Sequence, residues 1–381
     1  MQRVAFGDRS LFPDLEARVY LNHAAVSPPS VRVQAAANRV LQDYGRLGLG
    51  GVFPWMDQRA RLKQQLGALL GVSADQLALG SSTNRCLVDL ALCMDWQPGD
   101  RVVLFQGEFP ANTTPWQAAA AHFGVDVVWE TLDGVPEGHM LERLEATLRD
   151  GARLVAVSAV QFSTGLAMPL ADMAALCHRY GAELAVDVIQ AAGVVPLDLG
   201  ALGVDYAAGG GHKWLMGLEG VGYLYARSTE HLVPRVAGWL SHEDPVAFLM
   251  LGAGHLTYDR PIRCSVDWLE IGSTNAVGCA ALEAGIAPIA ELGVAQVFAH
   301  VQALHDALEA PLEQVGLKSL RAPQGYRSGT LSFAGSQAME MGQRLGASGV
   351  AVTTPDGILR LAPHWPNGLD QVPLILQAAG V

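Results

Sequence analysis

From Arg101 to Ala226 the chain alternates short apolar runs with helix-length stretches, and this rhythm restricts the fold more than any other feature. Residues 101–105, 125–130, 154–160, the run through Leu184 that ends at Asp187, and 220–226 read as strands. Residues 118–123, 140–149 and 170–180 read as the helices between them. Such a βαβα order predicts an α/β domain with a largely parallel central sheet flanked by helices. Ligands of such sheets bind beyond the carboxyl ends of the strands. Glu108-Phe109, Gln161-Phe162 and Asp187 all fall at such ends.

The pattern changes after about residue 250. Residues 277–308 are rich in Ala and Leu and read as long helices, and 329–333 and 357–361 as short strands. We expect a large domain over 21–254 and a smaller α+β domain over 255–381. A chain of 381 residues, half of them apolar, is long enough for a substantial core and two unequal lobes. The net charge of −12 argues against a nucleic-acid partner. We expect no signal peptide, no membrane-spanning segment and a cytoplasmic setting. The cysteines (Cys86, Cys93, Cys177, Cys264, Cys279) are odd in number and lack zinc-like spacing, so they read as reduced packed thiols, and no metal site is expected.

Within this frame stands Ala207-Ala208-Gly209-Gly210-Gly211-His212-Lys213-Trp214. A lysine held behind a glycine run has little room to wander. Taken alone it reads as a solvated cation, as most lysines do. With an ordinary pKa near ~10.4, an amine needs a special pocket to act as a nucleophile. Asp187, upstream, ends a buried apolar strand. A buried carboxylate without a partner is costly, and a pyridinium nitrogen is one partner that meets the need. A lysine amine and an aspartate are the two protein groups that pyridoxal phosphate (PLP) requires.

Five further segments extend the pattern: Tyr20-Leu21-Asn22-His23-Ala24-Ala25, Gly80-Ser81-Ser82-Thr83-Asn84-Arg85, Glu108-Phe109-Pro110-Ala111-Asn112, Glu270-Ile271-Gly272-Ser273-Thr274-Asn275 and Leu359-Arg360-Leu361-Ala362-Pro363-His364. With the Asp187 and Lys213 segments, this ordered set resembles the class V aminotransferase group of fold-type I PLP enzymes. Cysteine desulfurases, selenocysteine lyases, isopenicillin N epimerase-like proteins and kynureninases belong to that group. The resemblance covers nearly the whole chain. It implies a fold-type I transferase whose residues 1–20 pack on the small domain.

The resemblance also implies roles. Lys213 forms the Schiff base and Asp187 pairs with the ring nitrogen. Ser82, Thr83 and Asn84, with His212, surround the phosphate. Without the resemblance, Ser82 and Thr83 read first as an ordinary helix cap. Gln190 bonds the ring 3′ oxygen, and Gln161 reaches either that oxygen or the substrate. Phe109 stacks where desulfurases place a histidine, and it carries no proton. Ser273 is expected to reach a partner subunit's phosphate, so a homodimer with shared sites is implied. Desulfurases usually carry serine where this chain has Gly210.

Arg360 is expected to grip the substrate α-carboxylate. Asn22 and His23 approach the substrate pocket, His23 as a polar wall more than an acid–base group. His364 and Trp365 shape it. The expected activity runs through a Schiff base and a Cα carbanion of an amino acid, ending in β-elimination of the C–S lyase type or in transamination. An epimerase and a catalytically silent PLP-binding protein are the alternatives. No cysteine lies between Arg321 and Val381, which argues against a persulfide-forming desulfurase.

Overall fold

A computed structural model describes residues 3–381. Strand β1 (Val19–Tyr20) stands apart from the main sheet. The main sheet holds β2 (Leu77–Gly80), β3 (Arg101–Phe105), β4 (Asp126–Glu130), β5 (Leu154–Ser158), β6 (Glu183–Asp187), β7 (Tyr206–Gly210) and β8 (Gly222–Ala226). Their spatial order is β2-β8-β7-β6-β5-β3-β4. All neighbours are parallel except β8, which runs antiparallel to β7 and β2. The fold is therefore α/β, with a mostly parallel central sheet flanked by helices.

Burial on both faces explains the apolar runs. Val103, Phe105, Val155, Val157, Leu184 and Val186 enter one core. Their sequence neighbours Val102, Leu104, Leu154, Ala156 and Ala185 enter the core on the opposite face. Successive side chains of a strand point to opposite faces, so a sheet covered twice has no polar side to show. Each fully buried Val or Leu contributes roughly 1.5–3 kcal/mol.

The smaller sheet joins β9 (Lys318–Ser319), β10 (Leu331–Ala334) and β12 (Leu359–Leu361) in the order β12-β10-β9, while β11 (Val350–Ala351) pairs in parallel with β1. Val19 and Leu21 thus share a core with Leu331, Phe333, Val350 and Leu359. Val4 and Phe12 pack in a separate cluster with Trp365, Val297 and Val301.

The structure adds to the sequence reading at three places. Tyr206–Gly210, to which the sequence analysis assigned no strand, is a fully buried strand. Its glycines are demanded by packing: a Cβ on Gly209 would fall 2.3 Å from the Tyr223 hydroxyl oxygen. Two long helices, Val31–Leu47 and Val52–Leu70, escaped the strand-centred reading. Packing also does not change at residue 255. Val266, Trp268 and Leu269 belong to one main-sheet core, and Cys279, Leu282 and Ile286 to the other. The chain instead turns by 79° between Ala276–Leu292 and Val294–Gln314, at Gly293 with φ 83°. The second helix carries it across to Leu308 and Leu312 of the small core. We propose that the domains divide there. Among the described residues no single helix is long and apolar enough to cross a membrane, and no cluster suited to a metal ion occurs.

Candidate active site

The carboxyl ends of β2, β6 and β7 share one edge of the main sheet, and β8 begins there. Gly80 and Gly210 both lie opposite Gly222. A Cβ on Gly222 would stand 2.4 Å from the carbonyl carbon of Ser82, so the glycine lets the turn after β2 lie flat against the sheet. That turn opens the helix Thr83–Cys93, whose cap is Ser82, its hydroxyl accepting from the Arg85 amide at 3.0 Å. Free amides and the positive dipole end of this helix face the edge. The Thr83 hydroxyl is buried and lacks a partner. It lies 2.8 Å from where a Gly210 Cβ would be, and His212 flanks the same spot at 3.5 Å. The threonine hydroxyl therefore occupies the space that a serine at 210 would need.

A cavity of about 410 Å³ opens at this edge. Ser82, Thr83, Asn84, Gln190, His212, Lys213 and Arg360 give it polar atoms, and Phe109, Phe162, Ile189 and Pro355 are among its apolar walls. Burial pushes the Lys213 amine down to about 8, with Asp187 opposing the shift and Arg360 adding to it. Its Nζ stands 5.6 Å from the centre of the Phe109 ring. Burial pushes Asp187 up to about 7, although the Ile189 amide donates to its Oδ1 at 2.9 Å. The His212 imidazole is lowered by burial and then by the neighbouring Lys213. Arg360 sits on β12, opposite Ser332 of β10. It is buried, donates to the Phe162 carbonyl at 2.7 Å, and leaves Nε without a partner. Loss of solvent draws its pKa down to about 10. Among the described residues neither Arg360, Asp187 nor Lys213 forms an ion pair within 4.0 Å. Two buried charged groups, Asp187 and Arg360, and a half-buried Lys213 stand at or beside one cavity without ion-pair partners, which is costly unless a ligand supplies them.

Other residues singled out by sequence divide into two groups. Gln190 lines the cavity, with its Nε2 donating to the Ala24 carbonyl at 3.1 Å and its Oε1 accepting from the Trp214 indole at 2.9 Å. One amide hydrogen is left for a ligand. Phe109 meets Phe162 edge to face at 5.4 Å. Outside the lining fall Asp187, which stands close enough to Lys213 to act on its amine, and Gln161, Asn22, His23, Ser273, His364 and Trp365. Gln161 donates to Glu108 at 2.8 Å, and its Oε1 is buried and unpartnered. The Asn22 Oδ1 accepts from the Thr353 hydroxyl at 3.1 Å. His23 is bound to Ser27, and His364 to the Trp214 carbonyl. Trp365 donates to the Met216 sulfur at 3.0 Å. Ser273 is exposed in the turn before the helix Ala276–Leu292, so it does not serve the cavity of its own chain.

Two features went unread in the sequence. Glu108 is a buried hub that accepts from the Ser158 amide at 2.7 Å, from Gln161, from Asn112 at 3.1 Å and from the Ser158 hydroxyl. It ties the turns after β3 and β5 together beside the cavity. The chain also contains only three lysines, Lys63, Lys213 and Lys318, a scarcity that makes the one inside a cavity conspicuous. Of the cysteines, Cys86, Cys93, Cys177 and Cys279 are buried, Cys264 is exposed, and none lines the cavity.

The family model described as Aminotransferase class-V matches residues 20–358. The chain is 26% identical over 370 residues to the "Uncharacterized aminotransferase YcbU" of Bacillus subtilis (strain 168), covering 96% of this chain and 94% of that protein. It is 32% identical over 260 residues to a cysteine desulfurase of Yersinia pestis (strain Pestoides F), covering 67% of this chain and 61% of the relative. Among solved structures, the cystine C-S lyase C-DES with its product cysteine persulfide matches with TM-score 0.85 and 23% identity, over 97% of this chain and 99% of that one. The apo cysteine desulfurase of Thermococcus onnurineus NA1 matches with TM-score 0.84 and 21% identity, over 99% and 98% of the two chains. At these identities the solved structures establish the shared fold.

Proposed function

Because the chain belongs to the aminotransferase class-V family and is a PLP-dependent enzyme, we propose that it eliminates a sulfur leaving group from Cβ of an α-amino acid. The observation that carries this reading is the composition of the cavity. Its walls hold a half-buried lysine and a buried guanidinium and no thiol, and the buried Asp187 carboxylate outside them is close enough to act on the amine.

The residues present fit PLP. The orphaned Thr83 hydroxyl, the helix amides behind it and His212 suit a phosphate. Asp187 lacks the cationic partner that a protonated ring nitrogen provides. Gln190 has one hydrogen to spare for a ring oxygen, and Phe109 offers an apolar face. When bound, PLP supplies an aldehyde that captures amines and a conjugated ring that draws electron density from Cα.

Every other task falls to the chain. Lys213 holds the coenzyme and, once released, takes the proton from Cα. An amine lowered to about 8 is partly free base at neutral pH, which a proton acceptor requires. Asp187 keeps a proton at the ring nitrogen. Arg360 binds and orients the substrate carboxylate with its unpartnered guanidinium edge. Phe109 and Phe162 exclude water from that side of the cavity. Without a cavity thiol the sulfur leaves as a free product and is not passed to the protein.

Transamination is the second reading, favoured by Lys213 as a single base beside two aromatic rings. Epimerisation draws less support, because it needs a second proton carrier at Cα. S-substituted cysteines incubated with the PLP-loaded enzyme are expected to take up one water and yield pyruvate, ammonia and thiol in equal amounts. Stoichiometric keto-acid exchange without thiol release would overturn elimination in favour of transamination. A homodimer belongs to this reading. Exposed Leu41, Leu47, Leu49 and Phe53, and exposed Leu249, Leu251 and Tyr258, offer apolar surface for a second copy, and Ser273 is free to face its cavity. Light scattering on the purified protein checks it, with a dimer mass expected.

A further inference from the structure

Three consecutive carbonyls around Lys213 are held from remote parts of the chain. The Ser27 amide donates to the His212 carbonyl at 2.8 Å. The Ser27 hydroxyl donates to the Lys213 carbonyl at 2.6 Å. Its only proton is spent there, so the hydroxyl accepts from Nδ1 of His23, 2.7 Å away. On the other side, Nδ1 of His364 accepts from the Trp365 amide at 2.7 Å. The His364 proton therefore rests on Nε2, which donates to the Trp214 carbonyl at 2.8 Å. The two imidazoles meet edge to face with centroids 5.4 Å apart. His23, Ser27 and His364 are all buried, and none of the three lines the cavity.

We propose that His23, Ser27 and His364 are positioning residues that lock the peptide planes after Lys213 and so aim its amine into the cavity. The proposal rests on the reading of Lys213 as the reactive amine. Its physical basis is preorganisation: a side chain on a free turn samples solvent, whereas one on a fixed peptide stays where its environment was built. Burial keeps both imidazoles neutral, His364 near 4 and His23 well below its ordinary value, so each retains the tautomer its bonds require. The titratable groups facing the amine are Asp187, Arg360 and His212, and the clamp bonds none of their side chains.

The test uses the apo-protein and pulse acetylation with acetic anhydride across pH 6–10, read at each lysine by mass spectrometry. Exposed Lys318 is the internal control. Ser27→Ala deletes one oxygen atom. It is expected to raise the Lys213 midpoint by about half a pH unit toward the ordinary value, which means roughly threefold less free amine at pH 7, with Lys318 unchanged. His364→Leu is expected to act likewise, whereas His364→Gln, which keeps an N–H donor, stays near the parent. An unshifted Lys213 midpoint in folded Ser27→Ala overturns the proposal, and this conservative variant carries the test if His364→Leu does not fold. Borohydride reduction of the PLP-loaded parent separates the two failures. Coenzyme mapped to Lys213 with an unshifted midpoint refutes the clamp alone, while coenzyme mapped elsewhere refutes the reading beneath it.

Discussion

Strand β6 carries a carboxylate at each end, and the two live in opposite surroundings. Glu183, at the amino end, is matched: it pairs with Arg153 and accepts from the Tyr206 hydroxyl at 2.8 Å. Its neighbour Asp205 accepts from the Leu184 amide at 2.8 Å and from His178 at 2.9 Å, with Arg227 at 3.6 Å. Asp187, at the carboxyl end, has one backbone amide and no cation within ion-pairing distance. Lys213 and Arg360 stand beside it equally unmatched. One edge of the sheet is built for its own stability and the other holds charge for a ligand to satisfy. Neutralising the first edge should therefore cost stability and spare chemistry, and neutralising the second should do the reverse.

The largest effect is expected at Lys213. Lys213→Ala should lower turnover by about a thousandfold or more while the apo-protein stays folded, checked by single-turnover kinetics and circular dichroism. Arg360→Ala comes next. Loss of a charge-assisted pair worth about 1.5–3 kcal/mol should raise KM for the amino acid roughly 10- to 100-fold and spare coenzyme binding, as steady-state kinetics and a coenzyme titration would read.

Asp187→Asn separates the edges by pH. The folded state holds the Asp187 proton up to about pH 7, whereas the unfolded chain releases it near ~4. Apo stability therefore falls as pH rises between those values, because the folded state binds more protons there. Asparagine escapes that loss. Its apo Tm should exceed the parent's above pH 7, by a few degrees as an order of magnitude, and the gap should close toward pH 4. Melting curves across that range check it, and coenzyme-dependent turnover should drop in the same variant. The smallest effect is expected at the matched edge. Glu183→Gln should lower stability by about 1 kcal/mol in denaturant titration and leave KM and kcat near the parent values.

The sequence made legible what depends on local pattern. The strands from β3 to β6 announce themselves because burial on both faces leaves only apolar residues to choose from. Lys213, Asp187, Thr83 and Arg360 stand in separate segments, and the fold brings Lys213, Thr83 and Arg360 to the walls of one cavity, with Asp187 outside them but close enough to act on Lys213. Strand β7 hid because Ala-Ala-Gly-Gly has weak strand propensity; its glycines answer to Tyr223 and Thr83, which lie elsewhere in the chain. His23 and His364 read as pocket residues because their motifs flank the cavity. His23 reaches the Lys213 segment only through Ser27, whose bond crosses 186 positions, and the His364 bond crosses 150, which local pattern does not encode. The division proposed at Gly293 rests on similar information: the Ala- and Leu-rich helix Ala276–Leu292 suits either lobe by composition, and its Cys279, Leu282 and Ile286 pack in a main-sheet core.

The central claim is that the unmatched edge is a coenzyme site centred on one amine. Borohydride reduction of the PLP-loaded protein, followed by peptide mapping, tests it most directly because the chain offers only three lysines. The account predicts the reduced coenzyme on Lys213 alone; attachment at Lys63 or Lys318, or no adduct at any lysine, would contradict it.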